Sequence, residues 1–325
     1  MSLQLRRGTT ILSTALIVVS SCAVGPSAPS AIAAETPAAK SRAQIQQRFP
    51  TPEAAVEALV AAVRSDDAER IRAVLGPGSD QVISSGDPVA DRQGRERFIA
   101  GFEKHAKIEP EGDVKATLII GEHDWPLPFP LVKRADGWRF DAKAGAEEIL
   151  NRRIGRNELA AIQVCLAYLD AQREYALTQG NHDGIHEYAM KLVSTPGSKD
   201  GLYWPTKDGQ PLSPLGPLAA KAKEEGYGKS KNAANEPYHG YFYKILTRQG
   251  SDAPGGAYDY VTHGKMIGGF ALVAYPARWG ASGVMTFIVS HDGVVYQENL
   301  GRATSEIVSR MTRFDPDPSW SKAQP

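Results

Sequence analysis

Disulfide chemistry is almost absent here, since the 325 residues carry only two cysteines, Cys22 and Cys165. Cys22 falls in an N-terminal leader segment, so the mature fold is expected to have no internal disulfide even in an oxidising compartment. Cys165 sits in the apolar run Val164-Cys165-Leu166 and reads as a small buried hydrophobe, not a nucleophile. Surplus charge of one sign is missing too: 37 Lys+Arg balance 37 Asp+Glu, which excludes the basic field of a nucleic-acid binder. There is no G-x-S-x-G elbow, no H-E-x-x-H, no G-x-G-x-x-G and no P-loop. Gly255-Gly256 and Gly268-Gly269 fit tight turns and strand bends. No catalytic residue, cofactor-binding residue or metal ligand is assigned, and the expectation is a protein that is not an enzyme.

Hydrophobic content is 42% and charged content 23%, as in ordinary globular chains. The length suggests two domains. Arg6 and Arg7 precede a short apolar stretch, Ile11 to Val19, below the ~20 residues that span a bilayer. Residues 1–34 therefore read as a secretory signal. Two processing sites compete: Val19-Ser20-Ser21-Cys22 matches a lipoprotein signal that would lipidate Cys22, and Ala31-Ile32-Ala33 fits an ordinary signal peptidase. The protein is expected to be exported, either periplasmic or lipid-anchored in the cell envelope, with membrane attachment through Cys22 alone. Losing residues 1–34 removes Arg6 and Arg7 and no acid, leaving two more acids than bases.

The stretch from Ala23 to about Arg48 is rich in Ala, Ser and Pro, and its part after the signal segment, 35–48, reads as a flexible tether. Thr51-Pro52-Glu53 opens a helix with Val56, Leu59, Val60 and Val63 at helical spacing. A second helix is expected from Asp67 to Leu75, stopped by Gly76-Pro77-Gly78, and a third from Arg95 to His105. Lys115 to Ile120 reads as a strand, and 131–134 with 137–140 as a hairpin. This gives an N-terminal α+β domain, 49–143. A long helix from about Ala144 to Leu177, striped by Leu159, Ile162, Leu166 and Leu169, opens a second domain, 144–320. Turn-rich sequence at 195–217 follows, then strands at 241–247, 269–275, 284–290 and 294–297, the last two joined across His291-Asp292-Gly293. The fold class is α+β: helices on a curved antiparallel sheet, then a long helix packed on an antiparallel sheet.

The opening "TPEAAVEALVAAVRSDD" and the "DGWRFD" strand resemble a cone-shaped fold of the nuclear-transport-factor-two type, in which a helix packs into a curved sheet and can enclose a pocket. "NELAAIQVCLAYLDAQREYA" and "GGFALVAYPARWGASGVMTFIVSHDGVVYQENLG" resemble the helix and sheet of pseudopilin-like domains. Here, however, a whole domain stands where pilins carry their membrane helix, which argues against pilus assembly. End to end, "TPEAAVEALVAA", "SSGDPVAD", "WPLPFPLV", "GLYWP", "GYFYKILTRQG" and "GFALVAYPARWG" resemble the bacterial family named domain of unknown function 2950. That resemblance implies export and a two-part layout, and no reaction.

Several residue groups stand out. His182 and His186 have a metal-ligand spacing, but Gly184 between them favours a solvated, helix-starting segment. Ser84-Ser85-Gly86-Asp87 fits turn chemistry. Glu147-Glu148 and Glu224-Glu225 are adjacent, so their side chains diverge by about 100° on a helix. Aromatics remain. His123, Asp124, Trp125 and Trp138 are candidate ligand contacts at the mouth of the N-terminal unit, against the alternative that both Trp rings plug it. Tyr203, Trp204 and Tyr241 are candidate partner contacts in the second half. In 241–245, alternation sends Tyr241, Tyr243 and Ile245 to one face and Phe242 and Lys244 to the other. The favoured role is a non-catalytic binding or interaction protein with an unknown envelope or surface partner. The alternative is a small-molecule binding protein or hydrolase using an N-terminal pocket.

Overall fold

The computed structural model describes residues 46–182, 184–228 and 236–324; the leader with Cys22, the tether up to residue 45, and Asp183 lie outside them. Helix α1 (Pro52–Arg64) starts as its sequence dictates: the Thr51 hydroxyl accepts from the Ala54 amide at 3.2 Å, with Pro52 in the first turn. Helix α2 (Ala68–Leu75) is capped by Asp67 and ends at Gly76. A short α3 (Asp80–Ile83) precedes α4 (Pro88–Lys104). The sequence suggests a start near Arg95, but α4 begins nearly two turns earlier, because Asp87 caps it and Pro88 occupies its first turn. The stretch from Asp91 to Gly94 has no apolar residue to show the helical period.

The first sheet contains β1 (Ala106–Pro110), β2 (Lys115–Ile120), β3 (Trp125–Pro126), β4 (Leu131–Arg134) and β5 (Gly137–Phe140). Its order is β1-β2-β4-β5, all antiparallel, with β3 also pairing with β2. β1 leaves no apolar signal, because this edge strand is largely exposed on both faces. From 126 to 131, Pro126, Pro128 and Pro130 alternate with Leu127, Phe129 and Leu131. The apolar three are buried and the prolines are not. Proline cannot donate to a ladder, so the segment runs along β2 holding it chiefly through the Leu127 amide, which donates to Leu118 O at 2.7 Å. Residues 46–48, expected to belong to the tether, are pinned instead. The Gln46 side chain donates to Leu75 O and Phe140 O, each at 2.8 Å, and Arg48 pairs with Asp136 at 2.7 Å.

Helix α5 (Ala142–Thr178) runs 37 residues, about 55 Å. Ala142, Ala146 and Ile149 join the first apolar cluster, whereas Ala161, Cys165, Tyr168 and Tyr175 join the second. At 3.6 residues per turn the two stripes are displaced by roughly a quarter of a turn, so the helix turns a different side to each core. The expected stripe of Leu159, Ile162, Leu166 and Leu169 is corrected at Leu159, which is 55% exposed. Ile162 and Leu169 are buried in the second core and Leu166 packs against it, beside Ala, Cys, Tyr and a buried Gln172. Gln172 is satisfied by Tyr168 Oη, Ala189 O and the Ala189 amide.

After α5, β6 (Asn181–His182) and β7 (Ile185–His186) form a hairpin, not the helix start expected there, because Gly184 with φ +79 turns the chain. Helix α6 (Gly216–Glu224) precedes β8 (Tyr241–Leu246). Then come β9 (Arg248–Gln249), β10 (Tyr258–Asp259), β11 (Val261–Thr262), β12 (Lys265–Met266), β13 (Ala271–Pro276), β14 (Thr286–Ser290) and β15 (Val295–Glu298). Helix α7 (Thr304–Arg310), β16 (Arg313–Phe314) and β17 (Ser321–Lys322) close the chain. The large second sheet is antiparallel, in order β17-β15-β14-β13-β8. β14 is buried at every position, so both faces of the sheet are covered. The Lys244 face is not free for a partner. Its ammonium donates to Val308 O, Ser309 O and Met311 O at 2.8–3.0 Å, holding the C-terminal end of α7.

Candidate functional site

A cavity of about 860 Å³ opens beside the first core, within the range of roughly 300–1,000 Å³ of small-molecule sites. Its floor is apolar and buried: Leu59 from α1, Ile71 and Leu75 from α2, Ile120 from β2, and Leu127 and Phe129 from the proline-spaced segment. Phe98 of α4 and Ile149 of α5 complete the apolar walls. The helix can lie this close because Gly145 of α5 faces the chain at Pro128. A Cβ there would stand 2.1 Å from Pro128 O.

The upper wall is polar and belongs to both halves of the chain. Asp91, Arg95 and Arg97 of α4 line it, with Arg152, Arg153 and Arg156 of α5 and with Glu225, Tyr227 and His239. Arg153 donates to Gln81 O at 2.6 Å and Val82 O at 2.7 Å. Burial lowers its pKa from the usual range but leaves a guanidinium charged. Burial likewise pushes the Asp91 carboxyl up, against the Ser85 amide that donates to it at 2.9 Å. His239 lies 3.2 Å from Glu225, which also accepts from Tyr238 Oη at 3.1 Å. Burial holds the His239 pKa below its ordinary value, outweighing the pull of Glu225. Its backbone is left-handed, φ +50, a strained choice for a non-glycine residue at a cavity wall.

Behind this wall the fully buried Asp87 joins the halves. One carboxylate oxygen caps α4, accepting from Val89 N at 3.1 Å and Ala90 N at 3.0 Å. The other accepts from Tyr227 Oη at 2.9 Å and Gly240 N at 2.8 Å. Proximity to Asp87 adds to burial in pushing the Tyr227 phenol far up. The sequence reading of Ser84–Asp87 as a turn misses both the cap and the junction. Gly240 is required there: φ is +74, and a Cβ would meet Asn157 Nδ2 at 2.6 Å. α5 is itself pinned to the second half by Asn157 Nδ2 donating to Ser282 O at 2.8 Å. Glu158 adds to this by accepting from Val284 N and Met285 N at 2.9 and 3.0 Å.

The aromatic candidates separate. Trp125 is 36% exposed and lines the cavity. Trp138 is buried in the first core, where its backbone pairs with Phe49, so it plugs the unit and does not face the cavity. His123 and Asp124 are exposed and do not line the cavity, and Asp124 sits 3.4 Å from His105. In the second half Trp204 is buried under Lys199, and Tyr203 is half-buried with its backbone paired to Val193. Tyr241 is fully buried against Phe287 and donates to Met285 O at 2.8 Å. Its ring is core and is corrected as a partner contact. Cys165 is buried with its thiol pushed up to about 12. Among the described residues no cluster of three His, Cys, Asp or Glu could hold a metal, and no helix is long and apolar enough to cross a membrane. Tyr227, His239 and the arginines are not among the candidates read from sequence, and Asp87 is read there only as part of a turn. The findable signal was Arg152, Arg153 and Arg156 at helical spacing between Ile149 and Leu159.

Comparison with known proteins gives one match: the model of the family described as Protein of unknown function (DUF2950) covers residues 46–323. No curated protein and no solved structure matches, so the cone-type and pseudopilin-like resemblances have no structural counterpart in the comparison.

Proposed function

The chain belongs to the DUF2950 family, and from that premise we propose that it is an exported, non-catalytic binding protein of the cell envelope whose ligand site is the cavity beneath Trp125. The observation that carries this is the cavity itself, about 860 Å³ with a buried apolar floor. A core of this size closes up unless something is gained by keeping it open, because unfilled apolar space forfeits dispersion contacts. The test is Nile red, an uncharged apolar dye, titrated into the full-length protein. One equivalent should brighten, and Trp125 emission should quench in step. Ala160→Trp, which fills the cavity from α5, should reduce the brightening at least tenfold while the protein stays folded by circular dichroism. Undiminished brightening in the filled variant would refute the site.

Export and anchoring form part of the proposal. The short apolar leader supports them, and Cys22→Ser should move the protein from the membrane to the soluble periplasmic fraction if Cys22 carries lipid. A second reading, a hydrolase that activates water, rests on His239 held 3.2 Å from Glu225 at the cavity wall. Among the described residues no Ser, Thr or Cys lines the cavity as nucleophile. Turnover of ester or amide substrates that disappears in His239→Asn would favour this reading over binding alone.

A further inference from the structure

Resting on the cavity as a binding site, we propose that its ligand is a single-chain anionic amphiphile, whose apolar chain lies on the buried floor and whose head is gripped by Arg97 and Arg156. The charges lining the cavity do not balance. Five arginines face two carboxylates there, and both carboxylates are engaged: Asp91 by the Ser85 amide, Glu225 by His239 and Tyr238. Three of the arginines have partners. Arg95 pairs with Asp66 and Arg152 with Glu148, each at 2.5 Å, while Arg153 holds the α3 carbonyls. Arg97 and Arg156 are exposed, and neither has an ion pair or hydrogen bond among the described residues. They come from different helices, α4 and α5, and line the same cavity.

Two large apolar side chains share this rim, Trp125 at 36% and Leu159 at 55% exposure. Exposed apolar surface beside unpaired guanidinium groups, above a buried apolar floor, matches a molecule with one apolar tail and one anionic head. Guanidinium forks suit carboxylate and phosphate oxygens, and burying the tail takes its methylenes out of water. A purely polar anion would leave the floor unused, and a neutral hydrocarbon would leave the arginines without a role.

The test displaces Nile red from the full-length protein with dodecanoate and with dodecanol, which share a chain and differ in head charge. Dodecanoate should displace the dye at least tenfold more strongly. In Arg97→Gln/Arg156→Gln the ratio of the two should fall towards one, and in Arg97→Lys/Arg156→Lys most of the preference should return. Equal displacement by acid and alcohol in the unmutated protein would overturn the anionic head and leave the cavity site standing. Failure of the dye to bind at all would overturn the cavity reading itself. Arginine-dependent cosedimentation with phosphatidylglycerol vesicles, with no displacement by free dodecanoate, would overturn the proposal in favour of a membrane surface.

Discussion

The second core is closed and the first is open, although the same helix backs both. Around α5's later turns, Tyr168, Phe270, Tyr188 and His291 meet in edge-on contacts at 4.7–6.1 Å between ring centroids, and the central strands are buried on both faces. Around its earlier turns, Leu59, Ile71, Leu75 and Phe129 are buried yet face a cavity. The difference lies in side-chain volume and in proline. The second half fills its sheet with aromatic rings. The first half has a strand interrupted at Pro126, Pro128 and Pro130, with a helix that approaches it at Gly145 and then carries arginines above the floor. One half is filled by its own side chains, and the other leaves a cavity.

The same substitution in each core tests this directly. Leu246→Ala removes a fully buried side chain from the closed core and should cost about 4 kcal/mol, whereas Leu59→Ala, on the cavity wall, should cost about 2 kcal/mol. Urea unfolding followed by circular dichroism measures both, and equal costs would mean the first core is as tightly filled as the second. Asp87→Ala comes next, at about 3 kcal/mol, because it strands the Tyr227 hydroxyl and the Gly240 amide in the interior. It should also split a single melting transition into two in calorimetry, and one unbroken transition would show that α5 alone couples the halves.

Lys244→Met should cost about 1 kcal/mol, because three carbonyls at the end of α7 lose their donor. The loss should fall on the second half only, and hydrogen exchange slowed or unchanged in α7 would count against it. The smallest effect concerns pH. Native His239 titrates below its ordinary value of 6.5. Between the two values the unfolded chain binds the proton and the native chain does not, so stability falls as pH drops through that window. Asp91, raised above 3.8, works in the opposite sense, losing stability as pH rises through its own window. His239→Asn, which tolerates the left-handed backbone, should therefore lose less melting temperature than the unmutated protein between pH 7.5 and 5.5. Equal losses would remove His239 from the account.

Most elements with a strong local signature could be read from the sequence. Thr51-Pro52 announces α1, Ala135-Asp136 marks the turn of the 131–140 hairpin, β13 and β14 are short apolar runs between turns, and α5 is long and free of proline. What was hidden had no local period. β1 is a charged edge strand. α4's first turns are polar. The sides of α5 depend on which core each turn meets, so Leu159 looked like core and is rim. The candidate site was harder still. Trp125 was visible as an aromatic among prolines, but Asp87 reaches Tyr227 and Gly240 across 140 and 153 residues of chain, and such partnerships leave no trace in spacing.

The change of side along α5 bears on how the chain can be divided. A cut between residues 143 and 144 falls within the first turn of this helix. A C-terminal fragment made there would present Ala146 and Ile149 to water with nothing to cover them, while its N-terminal counterpart would lose the wall that holds Arg152, Arg153 and Arg156. Neither piece would be a faithful miniature of its half, and the hollow would exist in neither, because it is made where the two meet along a single rod.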